Sequence, residues 1–102
     1  MISITTVESA KRVPFDLDGR ILLSRKAVEL VHLTLQPGDS LPSHVNDFDV
    51  AIFVTEGSGV IESGKQSVKA TVGTMAEIPA GAERGMKNTG NVPFRVLVLK
   101  LF

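Results

Sequence analysis

Turn-forming residues interrupt this chain at short, nearly regular intervals. Glycine, proline, asparagine or aspartate stands at almost every junction between runs rich in β-branched and apolar residues. Runs this short are typical of strands, because an isolated helix needs more residues to be stable. The predicted strands are 27–36, 41–45, 50–55, 60–62, 67–71, 75–78, 82–88 and 93–102. The pattern predicts an all-β fold, either an antiparallel sandwich or a closed barrel.

The chain of 102 residues has the usual size of one domain, so we predict a single domain over 1–102, with the barrel in 20–102. Residues 1–19 are the least patterned, and we expect either a loose arm or a strand added to the sheet edge of a partner. A chain this short buries limited surface and has no cysteine for disulfides. We therefore expect a homodimer.

Charge is evenly balanced, with 11 basic and 11 acidic residues and a formal net charge of zero. The basic residues are scattered, which argues against binding to nucleic acid or to an anionic membrane surface. The N-terminal residues have no basic start followed by a long apolar run, and no segment reaches transmembrane length. These observations predict a cytoplasmic protein.

Two blocks, 38–59 and 73–88, contain turn residues and polar residues at characteristic distances. The residues concerned are Gly38, His44, Asn46 and Gly57 in the first block, and Gly73, Pro79, Gly81, Arg84 and Asn88 in the second. Their spacing resembles the two sequence motifs of the cupin family, small β-barrels whose mouths usually hold a metal on three histidines and a glutamate. The resemblance covers roughly residues 31–102 and implies an antiparallel double-stranded β-helix, or jelly-roll barrel.

The metal-ligand positions of the family are mostly replaced. His44 matches the first histidine, Asn46 stands at the second, Val50 at the glutamate and Arg84 at the third histidine. A transition metal needs several imidazoles or anionic oxygens that converge on one point, and a guanidinium adds a permanent positive charge there. We predict no cofactor and no tightly bound metal. The remaining weak metal candidates are His44, Asn46 and Asp49.

The same positions predict a pocket for a small molecule. The candidate ligand-binding residues are His44, Asn46, Phe48, Glu77, Arg84 and Met86. Arg84 suits a carboxylate, phosphate or sulfate because its planar fork offers two parallel donors, and alternation within 75–78 places Glu77 where it would pair with Arg84. Ordinary packing at the rim explains Phe48 and Met86 equally well. The other histidine, His32, lies within an apolar strand and is expected to be a packed or surface residue.

Three functions follow from this pocket. The first is a metal-free cupin that binds a small polar or anionic metabolite. The alternative is a metal-independent isomerase or epimerase, with His44 as general base and Arg84 as the group that stabilises an enolate or carboxylate. The third, a metal-dependent enzyme of the dioxygenase kind, ranks last because most of the ligands are missing.

Overall fold

Ten strands and no helix make up the computed structural model, which describes residues 1–102. The strands are β1 (Lys11–Arg12), β2 (Asp18–Ser24), β3 (Val28–Leu35), β4 (Ser40–Val45), β5 (Asp49–Glu56), β6 (Ser58–Ser63), β7 (Gln66–Thr71), β8 (Met75–Ile78), β9 (Glu83–Lys87) and β10 (Phe94–Leu101). All of them pair antiparallel, in a six-stranded sheet of order β1-β2-β3-β10-β5-β8 and a four-stranded sheet of order β4-β9-β6-β7. The predicted all-β architecture is confirmed. No helix of this chain meets the length and hydropathy that a membrane crossing requires.

Strands β1 and β2 both begin before residue 20, where the predicted barrel starts. Lys11 and Arg12 of β1 pair with Ile21 and Arg20 of β2. The amide of Val13 also donates to the carbonyl oxygen of Gly19 at 2.8 Å, which closes the turn between the two strands. Part of segment 1–19 is therefore an edge strand on the sheet of its own chain, and not a loose arm or a strand on a partner's sheet.

The inner faces of the two sheets pack together most completely at one end of the barrel. Phe94 begins β10 and lies opposite Leu35, the last residue of β3, and both side chains are fully buried. The ring of Phe94 passes directly over Gly59 of β6, where a β-carbon would overlap it. A side chain at position 59 would hold the sheets apart, so glycine is required for this close packing.

The glycines of the two sequence blocks have the left-handed backbone conformation that tight turns require. Positive φ angles occur at Gly38 (88°), Gly57 (71°), Gly73 (87°) and Gly81 (82°). Asn88 at the end of β9 is 3% exposed, and its amide nitrogen donates to the carbonyl oxygens of Leu35 and Val92. These bonds satisfy the backbone carbonyl at the end of β3 and one in the loop between β9 and β10, so Asn88 has a structural role.

The outer face of the six-stranded sheet is unusually apolar for an antiparallel sheet. Leu97 on β10 lies beside Phe53 on β5, and Phe53 lies beside Met75 on the edge strand β8. Phe53 and Met75 are 43% and 56% exposed. The homodimer stays a prediction, and a second copy packed on this face would remove apolar surface from water.

His32 points to the same outer face, because its neighbours Val31 and Leu33 point inward. Its Nδ1 atom is buried without a hydrogen-bond partner. Burial lowers the pKa of the imidazole, and the nearby positive charge of Arg95 lowers it further. The folded protein therefore resists protonation of this ring, while the unfolded chain accepts the proton near the ordinary value of about 6.5.

We predict that the free energy of unfolding falls as the pH is lowered from about 6.5 toward the depressed pKa of folded His32, since the unfolded state binds more protons in that window. Urea unfolding at several pH values measures the effect. His32→Leu removes the titration, so part of the loss should disappear. His44→Leu leaves His32 in place and is the matched control. Equal pH dependence in wild type and His32→Leu would contradict the prediction.

Candidate functional site

A cavity of about 450 Å³ lies between the two sheets at the end of the barrel opposite Phe94. Hydrophobic side chains form most of its wall: Val13, Phe15, Val31, Leu33, Leu41, Phe48, Ile52, Met86 and Val98. The remaining lining residues are Pro42, Ser43, His44, Asn46, Arg84 and Lys100. Strands β3, β5 and β10 supply an apolar wall, whereas β4, β9 and the loop after β4 supply most of the polar groups. This arrangement, with a few polar groups in an apolar cleft, is typical of small-molecule sites.

Arg84 is the central polar residue of this cavity. It lies on β9 directly across from His44 on β4, and it is only 6% exposed. No carboxylate oxygen lies within 4.0 Å of its guanidinium, since the four ion pairs of the chain involve other residues. Burial lowers the pKa of Arg84. The guanidinium nevertheless stays charged at neutral pH, so the cavity contains a nearly buried cation without an anionic partner.

Two uncharged neighbours hold the guanidinium in place. The Asn46 amide, oriented with its oxygen toward β9, accepts hydrogen bonds from Nη2 and from Nε (3.0 Å) of Arg84. On another side Cζ of Arg84 lies 4.9 Å from the ring centroid of Phe48, a distance at which a cation interacts favourably with an aromatic face. The ring of Phe102 packs edge-on against Phe48 at 5.0 Å. Arg84 is thus oriented but not neutralised.

His44 has one nitrogen in a local hydrogen bond and the other near the amide of Asn46. Nδ1 lies 3.0 Å from the carbonyl oxygen of Pro42, and Nε2 lies 3.2 Å from the Asn46 oxygen. Both contacts are to carbonyl oxygens, which only accept, and a neutral imidazole carries a single hydrogen. Neutral His44 therefore donates either from Nδ1 to Pro42 or from Nε2 to Asn46, and in the first of these tautomers the lone pair is on Nε2.

The turn between β8 and β9 fixes the loop after β4, which carries Asn46 and Phe48. The amide of Gly81 donates to the backbone carbonyl oxygen of Asn46 at 2.8 Å, and the amide of Ala80 donates to Oδ1 of Asp49 at 2.7 Å. Gly81 has a positive φ of 82°, which glycine adopts without the steric cost of a β-carbon. Asp49 is used in this contact and does not line the cavity, so it does not join His44 and Asn46 as a metal candidate.

Of the six predicted ligand-binding residues, five line the cavity together: His44, Asn46, Phe48, Arg84 and Met86. Glu77 does not. It lines a second, smaller cavity, and it pairs in register with Ala51 on the outer side of β5. The expected contact between Glu77 and Arg84 was wrong, because inward-facing positions on β8 belong to Ala76 and Ile78, which flank Glu77.

Ten of the 15 lining residues were not among the predicted ligand-binding residues, and Lys100, Val13 and Phe15 are three of them. Lys100 follows the inward alternation of β10, in which Phe94, Val96 and Val98 face the core, so this periodicity was the available signal. Val13 and Phe15 lie in the unpatterned segment before β2. No periodic signal identifies them.

The residues present do not fit the metal that the cupin resemblance implies. No group of three or more histidine, cysteine, aspartate or glutamate side chains comes together. The position of the family's glutamate, Val50, is fully buried and in register with Ile78 and Lys100, so no strand slip brings Asp49 inward. Arg84 occupies the position of a ligand with a positive charge.

Restoring the missing imidazoles should create a metal site if these positions converge as the resemblance implies. We predict that the double variant Asn46→His, Arg84→His binds Co²⁺ or Zn²⁺ at least about 100-fold more tightly than wild type, because three imidazoles form a sufficient ligand set. Titration followed by cobalt absorption and calorimetry measures this gain. Arg84→His alone is the control with two histidines. A folded double variant that binds no better than this control would contradict the predicted convergence.

Comparison with solved structures places this fold among proteins of similar size. A protein designated TT1209 from Thermus thermophilus is 24% identical, with a TM-score of 0.85 and coverage of 98% of this chain and 97% of that one. A predicted oxalate decarboxylase from Thermotoga maritima is 19% identical, with a TM-score of 0.86 and coverage of 98% and 99%. The polyketide cyclase RemF from Streptomyces resistomycificus is 20% identical, with a TM-score of 0.85 and coverage of 99% and 80%.

At these identities the similarity concerns the fold, and the names of the neighbours describe different activities. A search of curated protein sequences found no match. The family model for the cupin domain matches residues 31–100, which contain both sequence blocks and all but two of the residues that line the cavity. On this match, and with the jelly-roll sheets that carry it, the chain belongs to the cupin domain family.

Proposed function

We propose that this protein binds a small organic anion, with the negative group at Arg84 and an apolar body against the facing sheet. The observation that carries the proposal is the nearly buried guanidinium of Arg84, which lines the cavity without a carboxylate partner. A buried charge is normally paired, because removing it from water is unfavourable. A bound carboxylate would supply the missing partner.

The geometry around Arg84 favours a planar anion. Asn46 and Phe48 orient the guanidinium, and its fork can donate two parallel hydrogen bonds to a carboxylate. Charge-assisted hydrogen bonds of this kind contribute about 1.5–3 kcal/mol. Arg84 is therefore expected to raise the affinity for a carboxylate by roughly 10- to 100-fold.

The opposite wall selects the rest of the ligand. Val31, Leu33, Ile52 and Val98 present a continuous apolar surface from the six-stranded sheet. Polar groups of a ligand would lose their hydration there without gaining partners, whereas methylene or aromatic groups would gain burial. A carboxylate with an aliphatic or aromatic body fits this division better than a sugar or a free inorganic anion.

We predict that hexanoate and benzoate raise the melting temperature of wild type and that Arg84→Met abolishes the rise, with a loss of affinity of roughly 10- to 100-fold by calorimetry. Without ligand, Arg84→Met should unfold at the same or a higher temperature, because methionine replaces an unpaired buried charge by an apolar chain.

The matched control for this experiment is Arg95→Met, which removes an arginine that is paired with Glu56 and does not line the cavity. Its response to both carboxylates should equal that of wild type. Equal binding by Arg84→Met and wild type would contradict the anion site.

A metal-independent enzyme is the second candidate, and the position of His44 across from Arg84 favours it. The tautomer of His44 that donates from Nδ1 to Pro42 has its lone pair on Nε2. In such an enzyme Nε2 removes a proton from a carbon next to a carbonyl group. Arg84 stabilises the enolate, and the proton returns from the same nitrogen at the same or the other face of that carbon.

For this second candidate we expect the protein to catalyse exchange of the C3 hydrogens of 2-oxohexanoate with D2O, followed by proton NMR against a sample without protein. His44→Ala should abolish exchange while thermal stabilisation by hexanoate remains, because Arg84 still binds the carboxylate. If wild type binds the acid but exchange occurs only at the background rate, the enzymatic function is contradicted and the binding function remains.

A further inference from the structure

A second cation lines the same cavity but is neutralised. Lys100 on β10 lies across from Glu29 on β3, and its Nζ donates to Oε1 of Glu29 at 3.2 Å. The other carboxylate oxygen, Oε2, accepts from the hydroxyl of Ser24 at 3.2 Å. Both side chains of the ion pair are largely shielded, with 30% of Lys100 and 19% of Glu29 exposed. Glu29 is thus held in position to keep Lys100 paired.

The two cations of the cavity share one aromatic ring. Cζ of Arg84 lies 4.9 Å from the centroid of Phe48, and Nζ of Lys100 lies 6.0 Å from the same centroid. Because both residues line the same cavity, a ligand that binds Arg84 with one end can extend toward Lys100 with the other. Only Arg84 is free to pair with it, since the charge of Lys100 is cancelled by Glu29.

We infer that Glu29 is a specificity-determining residue that restricts the cavity to ligands with a single negative charge. The inference rests on the proposed function and names its ligand class as monoanions with an apolar body. A second carboxylate near Lys100 would have to displace Glu29, and it would leave that partly buried carboxylate beside another anion. The cost of this arrangement discriminates against dianions, although the cavity contains two cations.

Two acids that differ only at one end test the inference. Hexanoate and hexanedioate share the chain and one carboxylate, and the second carboxylate of hexanedioate replaces a methyl group. In calorimetric titrations we expect wild type to bind hexanoate at least about tenfold more tightly. Glu29→Gln frees Lys100, so hexanedioate should gain about tenfold in affinity while hexanoate changes less than about threefold.

A second variant assigns the gain to Lys100. In Glu29→Gln, Lys100→Met the affinity for hexanedioate should return to the wild-type value, because the freed cation is gone. Glu56→Gln is the matched control, since it removes a glutamate that is paired with Arg95 away from the cavity. This control should leave both affinities unchanged, and thermal unfolding of each variant verifies that it is folded.

The outcomes separate the inference from the proposed function. Hexanoate binding that depends on Arg84, without a gain for hexanedioate in Glu29→Gln, overturns the role of Glu29 and leaves the anion site intact. An equal gain for both acids also overturns it, because Glu29 would then act only as a general repulsive charge. If neither acid binds wild type or any variant, the proposed function fails and this inference fails with it.

Discussion

Packing between Phe94 and Gly59 sets the distance between the two sheets, and the rest of the barrel depends on that distance. The ring of Phe94 is fully buried and occupies the space that a side chain at position 59 would need. Large apolar residues fill the barrel at this end, as close packing requires. The cavity lies away from this contact, toward β4, β9 and the end of β10. The closely packed end of the barrel thus holds the two sheets in place at the end that contains the cavity.

The open end contains a group that does not serve stability. Arg84 is buried with neutral partners only, Asn46 and Phe48, whereas the arginines and lysines of the four ion pairs contact carboxylates. An apolar residue of similar length would fill the same space at a lower desolvation penalty. Unfavourable groups that a fold retains are frequently found at sites of function. This is the physical reason to associate the cavity with an anion, and Glu29 with Lys100 then decides how many charges the anion carries.

Local patterns in the sequence were sufficient for most of the fold. Corner glycines such as Gly57 and Gly81 do have positive φ angles, and the inward set Val31, Leu33 and Leu35 follows simple alternation. The spacing of His44 and Arg84 was enough to place both at one mouth, where they are direct cross-strand neighbours. The placement of Glu77 failed because alternation alone does not say which of the two faces of β8 points inward. That choice depends on the register of β8 against β5.

The sequence by itself therefore determined where the strands and turns lie, because these depend on residue-specific backbone preferences and on short-range periodicity. It also identified Arg84 as the central cation of the site. Tertiary structure decided which side chains share the cavity. Val13, Phe15 and Lys100 come from distant segments, and only strand pairing brings them near Arg84. It also decided the charge balance of the site, since the ion pair of Lys100 with Glu29 joins residues that are far apart in the sequence. Contacts of that kind depend on distances between strands, which spacing within one sequence does not contain.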